Sequence, residues 1–280
     1  MRNVAVITGG AGGMGLATAK IVGRDRFVVI SDVNAQRLET AGDELAKLGV
    51  GCEVIVCDIS DARSVAQLVR ACSALGVVTS VIHTAGISPS MGAADLIMRV
   101  NALGTLHINE GFYPLAGDGF AIVNVASMAA HMLPRIAIPD RRFKCALRNE
   151  ERFMNKSMAA CAVVPPRWRP ALAYALSKSF VTWYCRSQAE RFGRRGARIV
   201  SVSPGSIDTE MGRLEKATGA GAMAGHAALK RFGTAEEVAE LLAFCASDKP
   251  GYLTGVDILC DGGAVASMTL RNKLAASKKE

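Results

Sequence analysis

One eight-residue turn constrains this chain more than any other feature. The apolar run Val4-Ala5-Val6-Ile7 reads as a buried strand, and Thr8-Gly9-Gly10-Ala11-Gly12-Gly13-Met14-Gly15 follows it directly. From Leu16 to Val22 the pattern turns helical. Glycines between a strand and a helix let the backbone approach a pyrophosphate closely. The helix N-terminus beyond them offers free N–H groups and the positive end of its dipole. The turn parses in two ways. Gly10-x-Gly12-x-x-Gly15 fits the general dinucleotide fingerprint, and Gly9-x-x-x-Gly13-x-Gly15 fits a variant spacing. The next apolar run, Phe27–Ile30, ends in Ser31-Asp32, which places an acid 17 residues after Gly15. A carboxylate there accepts from a ribose 2′-hydroxyl and repels a 2′-phosphate. The first basic residue after Asp32 is Arg37. The residues therefore favour NAD over NADP.

The rest of the chain repeats the strand–helix alternation. Val54-Ile55-Val56-Cys57, closed by Asp58, reads as a third strand. Val65, Leu68, Val69, Cys72 and Leu75 form the stripe of an amphipathic helix. Val77–Ile82, Ala121–Val125, Ile199–Val202 and Val256–Leu259 complete a set of seven. Apolar strands alternating with helices predict an α/β fold, a Rossmann-type doubly wound and mainly parallel seven-stranded sheet with helices on both faces. With no Pro/Ser-rich linker, residues 1–280 are expected to form one domain. Hydrophobic residues make up 50% and charged residues 21%, which excludes a disordered chain. No apolar run is long enough to span a membrane, and the first strand begins too early to leave room for a signal peptide. Eight cysteines without a CxxC pair point to a reduced, cytoplasmic protein. The four scattered histidines give no expectation of a metal site.

Taken together, these residues resemble the short-chain dehydrogenase/reductase family in its compact single-domain form. Thr8–Gly15 matches that family's TGxxxGxG, and Tyr174-Ala175-Leu176-Ser177-Lys178 matches its YxxxK. Ser127, in Asn124-Val125-Ala126-Ser127, matches the catalytic serine, and Asn101, in Val100-Asn101-Ala102, the helix asparagine. The resemblance implies a cofactor cradle of Gly9, Gly13, Met14, Gly15, Asp32, Asp58, Ile59, Ala85, Gly86, Pro204, Gly205, Ile207 and Thr209, shared with Tyr174 and Lys178. Asp58 would meet the adenine, and the segment from Pro204-Gly205 to Thr209 would border the nicotinamide. The implied reaction moves hydride between NAD and a secondary alcohol or ketone. Tyr174 and Lys178, four residues apart, share one helix face. A nearby ammonium and a positive nicotinamide favour the phenolate and lower the tyrosine pKa from about 10. By resemblance, Tyr174 is the general acid/base, Lys178 its partner and ribose ligand, Ser127 the ligand of the reacting oxygen, and Asn101 the anchor of a water relay.

Two departures stand out. His83-Thr84-Ala85-Gly86 stands where the family has Asn-Asn-Ala-Gly, and His83 is expected to pack or hydrogen-bond at the sheet end. Ser127 and Tyr174 are 47 residues apart, far more than in the family. The excess, an insertion at about 133–170, is basic: nine Lys and Arg face three acids between Pro134 and Pro170. Phe143, Leu147, Met154 and Met158 suggest a short amphipathic helix within it. It reads as a lid drawing an anionic substrate, as a modifier of the homo-oligomer contact (tetramer or dimer), or as a solvated decoration. Together with a basic tail at about 270–280 it accounts for the whole of the net charge of +8. Gly212–Gly233 reads as a mobile substrate loop. Two rivals remain: an NAD(H)-sensing regulator without turnover, whose mark would be loss of Tyr174 or Lys178, and a nucleic-acid binder. The second is short of aromatics, at 5%.

Overall fold

A computed structural model describes residues 2–134, 138, 140–215 and 221–277. Among the described residues, nine strands are arranged in two sheets. β1 (Asn3–Thr8), β2 (Phe27–Asp32), β3 (Cys52–Val56), β4 (Val77–His83), β5 (Ala121–Val125), β6 (Arg198–Pro204) and β9 (Asp257–Cys260) form the main sheet, while β7 (Ile207–Asp208) pairs with β8 (Gly233–Thr234) in a small second one. The main sheet is parallel throughout and runs β3-β2-β1-β4-β5-β6-β9. Chain order reverses between β1 and β4, which opens a crevice at their carboxyl ends. The strand readings hold with small shifts: the third strand begins at Cys52 and ends at Val56, and the last lies one residue later than read.

The helices are α1 (Gly13–Val22), α2 (Ala35–Lys47), α3 (Ala62–Leu75), α4 (Ala94–Met98), α5 (Gly104–Phe112), α6 (Asp140–Phe143), α7 (Glu150–Cys161), α8 (Arg169–Gly193), α9 (Glu210–Glu215), α10 (Gly221–His226), α11 (Ala235–Ala246) and α12 (Ala264–Ser277). Both faces of the sheet are covered, which is why its central strands are continuously apolar. On one face, Ala19 of α1, Leu38 and Leu45 of α2 and Leu242 of α11 pack on Ile7, Ile30 and Val200. On the other, Leu68 of α3, Phe112 of α5 and Phe180 and Tyr184 of α8 pack on Val4, Val81 and Ile122. Among the described residues no helix is long and apolar enough to cross a membrane.

The basic segment joins this second core. Phe143 of α6 meets Phe180 edge-on with centroids 5.4 Å apart, and Phe153 of α7 lies 5.2 Å from Phe180. His107 Nε2 of α5 lies 3.1 Å from Glu150 Oε1. The single helix expected over Phe143–Met158 is two. Asn149 breaks it, because its side chain accepts from the Arg152 amide at 2.7 Å and caps α7. Phe180 and Trp183 stand six and nine residues after Tyr174, about 120° and 180° round α8 from it. The described helices α6 and α7 therefore buttress α8 from within the chain. Arg141, Arg142, Lys144, Arg148, Arg152 and Arg167 are exposed. Arg135 lies outside the described residues, as do the end of the basic tail at 278–280 and residues 216–220 of the expected substrate loop.

Candidate active site

The turn after β1 has the geometry that its glycines predict. Gly9 has φ +70°, and a Cβ on it would meet the Ala85 backbone at 2.7–2.8 Å. The left-handed backbone and the close approach of the β4 loop both require glycine here. Thr84 Oγ1 donates to the Thr8 carbonyl at 2.8 Å and ties that loop to the turn. Gly10 is held elsewhere, its amide bonded to Ser31 O at 3.0 Å against β2. Of the two parsings, Gly9-x-x-x-Gly13-x-Gly15 thus describes the cleft side. Thr209 lies across the turn, its methyl 3.4 Å from where a Gly13 side chain would begin.

Other expected cradle residues surround this point. Asp32 ends β2 and accepts from the Asn34 amide at 3.1 Å, so its second oxygen is available to a ribose. Asp58 is exposed and accepts from the Ser60 amide (2.8 Å) and hydroxyl (2.7 Å). Ile59 and Ile207 have buried side chains within the core. Met14 is half-buried, and its carbonyl accepts from Thr18 Oγ1. The Gly205 amide donates to Cys260 O at 2.9 Å, which fixes Pro204-Gly205 at the end of β6.

The residues matching the reactive set converge from three elements. Lys178 is only 5% exposed, and its Nζ donates to Val125 O at 2.9 Å. Its Nζ sits 5.9 Å from the Tyr174 ring centroid, as the four-residue spacing on α8 predicts. Ser127 caps the short turn after β5, accepting from the Ala129 amide at 3.2 Å, and its side chain is near enough to Tyr174 to act on the phenol's pKa. Asn101 sits in a π-helical bulge, Arg99–Leu103, between α4 and α5. Its Oδ1 accepts from the Ile87 amide and its Nδ2 donates to the Ile87 carbonyl, both at 2.9 Å, with Ser177 Oγ at 3.3 Å. The Asn101 side chain is thus engaged by the β4 loop and by α8. A side chain on Gly86 would start 3.0 Å from Asn101 Oδ1 and 3.4 Å from Lys178 Nζ, so glycine keeps this junction open.

Burial governs the electrostatics. It lowers Lys178 to about 8 and raises Tyr174 above its ordinary value. Ser127 opposes the rise in Tyr174, and the carboxylate of Glu215 adds to it. The lowering of the tyrosine expected from the sequence is thus absent from the cofactor-free chain, where Lys178 turns its ammonium to Val125. His83 is buried, hydrogen-bonded to Thr8 Oγ1 at 2.7 Å and Thr105 Oγ1 at 3.1 Å, and held at about 3 by burial and by Lys178. It is a neutral tie between β1, β4 and α5.

Sequence reading missed Glu215. It ends α9, accepts from the Ser90 amide at 3.0 Å and bears on Tyr174 from across the chain. No local pattern marks it, because its partners lie 125 and 41 residues away in the sequence. Thr84 had a signal, its place one residue beyond β4, that went unused.

Comparisons with known proteins bear on the family and the fold. The short chain dehydrogenase family profile matches residues 3–138, and the enoyl-(acyl carrier protein) reductase profile matches 140–265. A short-chain dehydrogenase/reductase, bsc3, of Alternaria brassicicola is 31% identical over 93% of this chain and 95% of its own. 3beta-hydroxysteroid dehydrogenase 2 of Eggerthella lenta is 26% identical over 92% and 93%. A solved short chain dehydrogenase of Burkholderia cenocepacia, in complex with NADP, superposes with a TM-score of 0.74 at 25% identity, covering 93% of this chain and 96% of that one.

Proposed function

The chain belongs to the short-chain dehydrogenase/reductase family of nicotinamide-dependent oxidoreductases, and on that premise we propose that it interconverts a secondary alcohol and a ketone, with NAD as the favoured cofactor. The convergence of Tyr174, Ser127 and Lys178 at the mouth of the cleft carries the reading. When bound, the cofactor supplies or accepts the hydride. Tyr174 Oη gives a proton to the carbonyl oxygen during reduction and takes it back from the hydroxyl during oxidation. Ser127 Oγ holds that same oxygen. Lys178 holds the ribose hydroxyls and, once turned from Val125, stabilises the phenolate. Asn101 positions the bulge and the β4 loop against α8. Asp32 selects the unphosphorylated ribose.

The substrate is neutral in this reading. The anionic substrate suggested by the basic segment is set aside, because the charge that bears on Tyr174 is the Glu215 carboxylate and not a cation of that segment. The test is an NADH-absorbance screen over alcohols and ketones, with Tyr174→Phe beside the wild type. Turnover that disappears in the variant while NADH still binds is the expected result. Full activity in Tyr174→Phe would end the assignment. The regulator without turnover has no specific observation in its favour.

A further inference from the structure

Arg37 stands in an unexpected place. It opens α2, where its amide is fixed by Asn34 Oδ1 at 3.0 Å, yet its guanidinium reaches back over the glycine turn. A Cβ built on Gly12 would lie 3.0 Å from Arg37 Nη2, with no other atom within 4 Å. Gly12 has φ 175° and ψ −178°, an extended conformation open to any residue. Its lack of a side chain is therefore not a backbone requirement; it makes room for this guanidinium. Gly12 is also the N-cap of the ten-residue α1, with no side-chain cap bond and no acid in the first turn of the helix. The cation and the helix dipole thus face the same space.

A carboxylate engages Arg37. Glu210 Oε2 of α9 lies 2.9 Å from Arg37 Nη2, and both side chains are more than half exposed. Glu210 follows Thr209, which already leans on Gly13. α9 itself buries no residue. Its two ends are tied by carboxylates, Glu210 to Arg37 on the cofactor side and Glu215 to the Ser90 amide on the substrate side.

We infer that Arg37 is a ligand for a phosphate of the bound dinucleotide, and that Glu210 is the carboxylate this phosphate displaces. The guanidinium fork takes carboxylate and phosphate in the same geometry, so the exchange needs no new conformation of Arg37. It frees one end of α9 and couples cofactor arrival to the release of the segment that borders the substrate. The inference rests on the cofactor reading above and adds to it a residue from outside the glycine turn.

Binding without turnover tests it. Dissociation constants for NADH and NADPH are measured by fluorescence titration at fixed ionic strength on wild type, Arg37→Ala and Glu210→Gln. Trypsin cleavage within residues 210–230 is followed with and without NADH. Arg37→Ala is expected to weaken binding about tenfold, the scale of a hydrogen bond to a charged group. Equal losses for both cofactors assign Arg37 to the bridging diphosphate, and a loss confined to NADPH assigns it to the 2′-phosphate. Glu210→Gln is expected to tighten binding about twofold to fivefold, since an exposed ion pair competes only weakly, and to speed cleavage before any cofactor is added. Arg37→Ala constants equal to wild type for both cofactors overturn the inference. So does Glu210→Gln binding no tighter than wild type. Failure of the folded wild type to bind either cofactor overturns the cofactor reading instead. Circular dichroism establishes that each variant is folded.

Discussion

Lys178 Nζ donates its hydrogen bond to the carbonyl of Val125, on the strand beside α8, and burial lowers its pKa to about 8. The charged form is needed to hold the ribose and support Tyr174, and it is lost as pH rises through that value. For ketone reduction, kcat/KM is expected to fall above about pH 8, since this parameter reports groups of the free enzyme. Lys178→Arg should move that limb upward, because Arg does not deprotonate in this range. The stability contribution has the opposite sign. Between about pH 8 and 10.5 the unfolded chain holds the proton that the folded chain has shed, so this group's contribution to stability rises with pH. A shift of this size corresponds to about 3 kcal/mol. Urea unfolding across that window measures it, and a contribution that falls with pH would contradict the assignment.

Asn101 holds both polar groups of the Ile87 backbone. Asn101→Ala should cost about 1–3 kcal/mol, because it leaves that amide and carbonyl without their partner. It should also lower kcat more than it raises KM, since the β4 loop then shifts against Lys178. Denaturation curves and steady-state kinetics on one preparation check both parts.

Asp32 offers one free carboxylate oxygen at the end of β2. Asp32→Ser should weaken NADH binding about tenfold and bring the NADPH constant closer to it, through loss of a charged acceptor and of a repulsion. Fluorescence titration with both cofactors reads the ratio, and an unchanged ratio would show that Asp32 does not select the ribose.

Phe153 is fully buried between Phe143 and Phe180. Phe153→Ala should cost about 3–5 kcal/mol from lost transfer energy and the cavity left behind. NADH affinity should change little at temperatures where the variant stays folded, because the ring partners of Phe153, Phe143 and Phe180, are not among the candidate cofactor ligands. Urea midpoints and a titration at low temperature separate the two effects.

The fold was legible because its signals are local. Each buried parallel strand is a short apolar run, and the turn chemistry of Thr8–Gly15 fixes the first strand–helix unit. The reactive set was legible by spacing, since Tyr174 and Lys178 need only a helix to share a face. What was not legible depends on contacts between distant segments. The π-bulge at Asn101 answers to Ile87 and Ser177. Glu215 matters through Ser90 and Tyr174. The packing of α6 and α7 was not legible for a related reason: the charge count says nothing of packing, while Phe143 and Phe153 decide where these helices sit. The two-residue strands β7 and β8 are too short to show any periodicity.

The buttress formed by α6 and α7 also changes what α8 offers to the outside. Phe180, Trp183 and Tyr184 are already covered from within the chain. On this flank the molecule instead shows the outer row of α7, with Glu151, Arg152, Asn155 and Ala159 exposed. Charges of both signs, an amide and a methyl make a poor seam for an obligate apolar association. A neighbouring molecule approaching from this side would meet a wetted, mixed-charge surface, and the helix carrying Tyr174 and Lys178 would take its rigidity from its own chain.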